Sequence, residues 1–311
     1  MDDFRHYTVM KDEAVDALEC KRGLIYVDCT LGGGGHSELI LKRISPDGRL
    51  IAFDIDEDAI NAAKRRLSAY DNVTIVKNSY TNIKSVMKDL GIEKITGGIL
   101  FDLGASYHQL TKQERGFSFM KDAPLDMRFD KESDFSAYDV VNKYTEDELV
   151  RIFSEYGEER FSKRIAKKIV EKRKTSPINT TLELADIIVG AVPRVKSKVH
   201  PATRVFQAIR IEVNQELQNI KKTLVEVFDL LEYGAIISVI SFHSLEDRIV
   251  KQVFKYHSTR CHCEKNQMIC QCPPPILELV NKKPIMATTE EISENPPSRS
   301  AKLRIARCIR K

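Results

Sequence analysis

The chain lacks any apolar run long enough to cross a bilayer. Its longest nearly apolar stretch is Gly234 to Phe242, whereas a spanning helix needs about 20 residues. The opening residues, Met1-Asp2-Asp3-Phe4-Arg5, contain no basic segment leading into an apolar one, so no secretory signal is expected. Cysteine is sparse and odd in number, seven in 311 residues, with Cys20, Cys29 and Cys308 scattered. An even disulfide framework is excluded, and a reducing, cytoplasmic setting is expected. Tryptophan is absent, which excludes nothing. With 42% hydrophobic and 30% charged residues, neither a disordered nor a fibrous chain fits. The length suggests two domains and a core that needs no disulfide staple.

What is present, over the first hundred residues, is alternation. Leu24–Cys29, Arg49–Phe53, Val73–Val76 and Gly97–Phe101 read as short buried strands. Between them Ser37–Ile44, the Ile60/Ala63/Leu67/Tyr70 series and the Ile83/Val86/Met87/Leu90 series have helical spacing. Such alternation predicts a parallel sheet with helices on both faces. From about Gly104 to Pro201 the strands stop, and Glu146–Tyr156, Arg160–Lys172 and Leu182–Val189 read as helices. A long amphipathic helix is predicted from Val213 to Leu231, and Ala235–Ile240 resumes the strand pattern. A hairpin of Leu277–Ile285 with Ala301–Ile309 is predicted to finish the sheet. The organisation expected is one α/β domain, residues 1–111 and 201–311, carrying an all-helical insertion over residues 112–200.

A glycine run, Gly32 to Gly35, follows the first strand and opens a helix. Glycines admit close approach of a ligand to the backbone, and the helix start offers free N–H groups. Two familiar nucleotide motifs are missing here. The dinucleotide fingerprint begun at Gly32 needs Gly or Ala at its sixth place and finds Ser37; begun at Gly33 it ends on Glu38. No Gly-Lys-Ser/Thr of a P-loop is present. Asp54, 22 residues beyond Gly32, ends the second strand, where a carboxylate accepts hydrogen bonds from ribose hydroxyls. An adenosine-containing ligand with no phosphate demand meets that description, as S-adenosylmethionine does. Asp102 ends the fourth strand, beside the same site.

Charge adds a partner class. The formal net charge is only +4, yet Arg160–Lys174 holds eight basic residues against one acid, Glu171. Ala191–Ile211 holds five basic residues and Ser298–Lys311 holds six, neither with an acid. Clustered cations are the footprint of a polyanion, here a nucleic acid; for any one run a solvated helix face is the plainer reading.

These motifs together resemble the RsmH (MraW) family, along nearly the whole chain. The matching stretches are His6–Met10 with Glu13, Tyr26–Ser37, Ala52–Asp56, Phe101–Ser106, Arg115–Phe119, Ala123–Arg128, Ala202–Asn214, Ser241–Arg248 and Ser298–Arg304. The resemblance implies a Rossmann-like S-adenosylmethionine-dependent methyltransferase sheet with an inserted helical domain. It implies transfer of methyl to the N4 amine of a cytidine in the decoding region of 16S ribosomal RNA, within the small subunit and with no membrane partner. By position it places cofactor contacts on Gly34, Gly35, His36, Asp54, Tyr80, Asp102 and Gln109. The chain departs from the family pattern at Tyr107-His108-Gln109, where Ser-Pro-Gln is more usual.

Each position also has a plainer use. Gly34 and Gly35 suit a tight turn, His36 a helix cap, and Tyr80 a half-buried core site. Asp102 is the candidate catalytic acceptor for the amine, or only a cofactor holder. His243, after the fifth strand, faces either substrate or a neighbouring loop. Cys261, Cys263, Cys270 and Cys272 form two C-x-C pairs. Zinc pairs are usually spaced by two to four residues, so no metal ligand is assigned, and structural zinc and free thiols both remain open.

Overall fold

A computed structural model describes residues 8–106, 109–110, 112–193, 200–263 and 270–310. His6, Tyr7, Tyr107, His108, Arg194, Lys196 and Lys198, which carry parts of the sequence reading, lie outside the described residues. The chain forms two compact units, Met1–Gly104 with Leu217–Lys311, and Ala105–Glu216.

The first unit is built on a sheet of eight strands. In chain order these are β1 (Ile25–Asp28), β2 (Arg49–Asp54), β3 (Val73–Lys77), β4 (Gly98–Asp102), β5 (Ile236–Ser241), β6 (Leu277–Leu279), β7 (Ile285–Met286) and β8 (Lys302–Cys308). Their spatial order is β3-β2-β1-β4-β5-β8-β6, with β7 also paired to β8. The first five run parallel, and β8 is antiparallel to β5, β6 and β7. Alternate residues point to opposite faces of a strand, and each face is apolar. Val27, Ile51, Phe53, Ile99, Phe101 and Ile237 pack into one core. Tyr26, Leu50, Ala52, Leu100 and Ile236 pack into the other. Strands buried on both sides are why this half reads as short continuous apolar runs.

Helices α1 (Lys11–Asp16), α2 (Gly35–Ile44), α3 (Glu57–Arg66) and α4 (Ile83–Asp89) belong to the first part of this unit. Asp56 caps α3, its side chain accepting from the Asp58 N–H at 3.0 Å. Such a cap satisfies one of the unpaired donors at a helix start.

The second unit carries α5 (Ala137–Lys143), α6 (Glu146–Glu155), α7 (Ser162–Arg173), α8 (Thr181–Ala191) and α9 (Ala202–Asn214). Helices α5, α6 and α8 each open on a reciprocal capping box, at Ser136/Asp139, Thr145/Glu148 and Thr180/Glu183. No strand longer than an isolated bridge, Pro124 to Thr180, occurs among its described residues.

One expectation needs correction. The single helix predicted from Val213 to Leu231 is broken. Helix α9 ends at Gln215, whose φ of 50° is left-handed, and α10 (Glu216–Val227) begins directly after it. Arg210 holds Glu216 across the break by two hydrogen bonds, at 2.9 and 3.0 Å. Apolar spacing runs through one reversed residue without registering it. Helix α9 packs on α5, α6 and α8, and the compact helical unit of the structure spans 105–216.

After β5 comes α11 (Ser244–Ser258), and between β7 and β8 lies α12 (Thr289–Glu294). The short α12 has no counterpart in the apolar spacing of the sequence.

Candidate active site

The strand order reverses between β1 and β4, since β1 leads outward to β2 on one side while β4 and β5 lie on the other. In open α/β sheets the crevice beyond the strand ends at such a point is where ligands bind. Asp28 ends β1 there and is fully buried. It accepts from the Ser37 hydroxyl at 2.7 Å and from the Thr30 N–H at 3.0 Å. Burial pushes its carboxyl up to about 6, against those hydrogen bonds. Thr30 in turn accepts the Asp102 N–H at 2.6 Å, tying the ends of β1 and β4 together.

The glycine turn follows. Gly34 is left-handed, φ 78°, and a Cβ on it would stand 3.2 Å from the Ala63 Cβ. Gly35 is pressed so closely by the Thr8 side chain that no Cβ fits. Both glycines are therefore required by the turn and its packing, whatever else their backbone does.

Asp54, at the end of β2, braces the same turn. Its Oδ2 accepts the Gly32 N–H at 2.8 Å and its Oδ1 the Asp56 N–H at 2.9 Å. Desolvation raises its carboxyl to about 6. Each carboxylate oxygen has a second acceptor site, enough for a ribose hydroxyl. Tyr80 begins the one-turn helix after β3 and is half-buried, its ring edge-on to Phe101 at 5.8 Å.

Asp102 is the least compensated group. Its side chain is 13% exposed, and its Oδ1 is buried with no hydrogen-bond partner among the described residues. Its Oδ2 stands 3.8 Å from the His36 Nδ1. The other His36 nitrogen, Nε2, lies 3.1 Å from the Val9 carbonyl. A carbonyl only accepts, so Nε2 is the protonated nitrogen and the imidazole edge facing Asp102 is Nδ1. Burial drives the Asp102 carboxyl well above its ordinary value, and Asp28, Glu246 and Glu291 push in the same direction. A site with this many acids converging on one buried carboxylate attracts a cation.

Glu246 and Glu291 have no role assigned from the sequence. Glu246, in the first turn of α11, accepts the Phe242 N–H at 2.8 Å, and its Oε1 lies 3.1 Å from the His243 Nε2. The available signal is its place three residues after His243, a capping-box spacing. Glu291 on α12 accepts the Met10 N–H at 2.8 Å across 281 positions, a link no local pattern announces. Asp28 and Thr30 stand inside a matching motif whose sequence gives them no role.

Gln109 is the one expected cofactor contact that lies in the second unit. There its Oε1 accepts the Ser106 N–H at 2.9 Å, and its own N–H donates to the Ser106 hydroxyl at 3.2 Å. The other six lie in the first unit, five of them just beyond or at the ends of β1, β2 and β4.

The basic runs divide. On α7, Lys163, Arg164, Lys167, Lys168 and Lys172 are exposed on the face opposite the buried Ile165, Ala166 and Ile169. Arg173 turns inward to the carbonyls of Val141 and Tyr144. The C-terminal run, a polyanion footprint in the sequence, is largely occupied internally. Arg304 and Lys302 pair with Asp247 at 2.6 and 3.4 Å, Arg307 with Glu19 at 2.5 Å and Arg310 with Asp229 at 3.5 Å.

Residues 3–309 match the MraW methylase family. The chain belongs to that family. It is 52% identical over 309 residues to the "Ribosomal RNA small subunit methyltransferase H" of Clostridium botulinum, covering 99% of this chain and all of that one. It is 53% identical over 304 residues to the protein of the same name in Caldicellulosiruptor bescii, covering 97% and 99%. A solved rRNA methylase from Streptococcus thermophilus is 10% identical with a TM-score of 0.43, covering 96% and 95%, a likeness too slight to add to the assignment.

The cofactor of this methylase is S-adenosylmethionine, and the residues fit it. The orphaned Asp102 oxygen and the acids around it suit a ligand with a sulfonium and an ammonium. Asp54 suits its ribose diol, and the glycine turn leaves backbone N–H groups for its carboxylate. Among the described residues no helix is long and apolar enough to cross a membrane.

Proposed function

We propose that this methylase modifies the N4 amine of a cytidine in the decoding region of 16S ribosomal RNA, within the small subunit and in the cytoplasm. The observation that carries the reading is Asp102: a buried carboxylate with an unsatisfied oxygen, at the switch point of a methylase sheet. The two relatives aligned over essentially the whole chain are named for small-subunit ribosomal RNA, which supports the substrate class.

The cofactor supplies an already activated methyl group. The protein's share is alignment and charge. Asp54 holds the ribose, Gly34, Gly35 and His36 at the start of α2 face the methionine end, and Tyr80 flanks the adenine. Gln109 is the further cofactor contact that the family resemblance implies. A cytosine amine is a weak nucleophile because its lone pair is delocalised into the ring. Asp102 accepts a proton-bearing edge of that amine and offsets the positive charge that grows on nitrogen as the new N–C bond forms. Holding amine and methyl in line contributes several kcal/mol more of the barrier reduction, by the usual order of magnitude for proximity.

Attack by the ring carbon would need a nucleophilic cysteine. Cys29 is the nearest to the site in sequence, and it is buried, with its thiol pushed well above the ordinary range by burial and then by Asp28. A neutral, enclosed thiol is a poor nucleophile, which favours the amine. The exposed face of α7 supplies cations for the RNA backbone. The deciding experiment incubates the protein with labelled S-adenosylmethionine and small subunits, then digests the RNA for mass spectrometry. N4-methylcytidine is expected. 5-Methylcytidine, ribose methylation or no transfer at all would overturn the reading.

A further inference from the structure

We propose that Cys261, Cys263, Cys270 and Cys272 bind one structural zinc ion. Their four Sγ atoms lie within 4.8 Å of one another. Cys263 and Cys272 approach to 3.5 Å, and Cys261 and Cys270 to 3.7 Å. Four sulfurs at about 2.3 Å from a tetrahedral zinc stand about 3.8 Å apart, so the thiols already outline the cage.

The C-x-C spacing is unusual for zinc, and the structure explains how it works. Each C-x-C pair brings two sulfurs into the cluster, and the two close contacts cross from one pair to the other. The residue between the first two cysteines, His262, is directed elsewhere. Its ring stacks on Tyr256 at 4.2 Å, and its Nε2 lies 2.9 Å from the Tyr256 carbonyl. It is thus not a fifth candidate ligand. Two backbone donors aim at the sulfurs, the His262 N–H at Cys272 (3.1 Å) and the Cys263 N–H at Cys261 (3.4 Å). Such donors favour thiolate, the form a metal binds.

Soft sulfur donors in tetrahedral array select zinc over calcium or magnesium. The ion's job is structural, since all four positions are taken by protein and none is left for substrate. Between α11 and β6 the described chain has no helix or strand. It is tied down at its ends by His262 on Tyr256 and by the Ile276 N–H on the His257 carbonyl at 3.0 Å. A metal clip across this connection would hold its described ends together.

The test uses the full chain, purified under reducing conditions without chelator and supplied with zinc. Elemental mass spectrometry is expected to find about one zinc per chain. Replacing zinc by cobalt is expected to give thiolate-to-cobalt charge transfer and the intense visible bands of a tetrahedral site. Both signals should disappear in Cys261→Ser/Cys270→Ser and in Cys263→Ser/Cys272→Ser, while cofactor binding by the sheet is retained. Cobalt spectra of the unaltered protein make the test independent of how well those variants fold. Iron in place of zinc, less than about one tenth of a zinc per chain, or an intact mass lower by four hydrogens, which signals two disulfides, would overturn the proposal.

Discussion

Replacing Asp102 by Asn keeps its shape and one acceptor but removes its charge, and the consequences should run in opposite directions for turnover and for stability. At about 4 Å and an effective dielectric near 20, a carboxylate stabilises a unit positive charge by about 4 kcal/mol. The amide retains a hydrogen-bonding oxygen, so the loss expected in the transition state is about 3 kcal/mol, or roughly a hundredfold in kcat. Stability should rise instead. The folded Asp102 carboxyl titrates well above its unfolded value, through burial and the acids Asp28, Glu246 and Glu291. Such a group is fully stabilising only below its unfolded pKa, about 3.9, and that stability is lost as pH rises through the folded value. The cofactor-free variant should therefore melt above the wild type at pH 8, with the gap closing as pH falls. Single-turnover kinetics at saturating cofactor, and scanning calorimetry of the cofactor-free protein across pH, provide the two measurements. A variant that keeps more than about a third of wild-type turnover, or melts lower at pH 8, would refute the charge argument.

Asp54→Ala should weaken S-adenosylmethionine binding by about 1.5–3 kcal/mol in calorimetry, the range for a hydrogen bond to a charged acceptor; unchanged affinity would remove Asp54 from the ribose. Because Asp54 and Asp28 both titrate near 6 when the site is free, affinity should climb with pH through about 6 and then level, and Asp54→Asn should blunt the step. Neutralising Lys163, Arg164, Lys167 and Lys168 to Gln should lower the salt dependence of RNA binding by about 0.7 in log–log slope for each phosphate no longer neutralised; an unaltered slope would make that face of α7 merely solvated. Cys29→Ser should leave turnover within about threefold of wild type, since the thiol is enclosed and neutral, and a complete loss with the fold intact would point to sulfur chemistry.

Much of the parallel half is legible in the sequence because its strands are buried on both faces. Runs such as Ile25–Asp28 and Ile236–Ser241 stand out against polar turns, and the acids at the ends of β1, β2 and β4 mark where the sheet stops. The break at Gln215 is not legible, because one left-handed residue leaves apolar spacing undisturbed on either side. Nor is the role of Glu291, because its partner Met10 is near the other end of the chain. Charge misleads in one place. Arg304, Arg307 and Arg310 look like a free basic stretch in one dimension, and only the fold brings Asp247, Glu19 and Asp229 to them.

The crowding of acids around Asp102 bears on what happens after methyl transfer. The spent cofactor has a neutral thioether where its precursor had a sulfonium. A pocket that favours positive charge therefore holds the fresh cofactor more tightly than the exhausted one, and turnover itself loosens the grip. Exchange of one for the other is expected to be driven by electrostatics rather than by any opening of the glycine turn, against which Thr8 and Ala63 pack closely. The affinity ratio between the two forms should shrink toward one in Asp102→Asn, and product inhibition should grow in step.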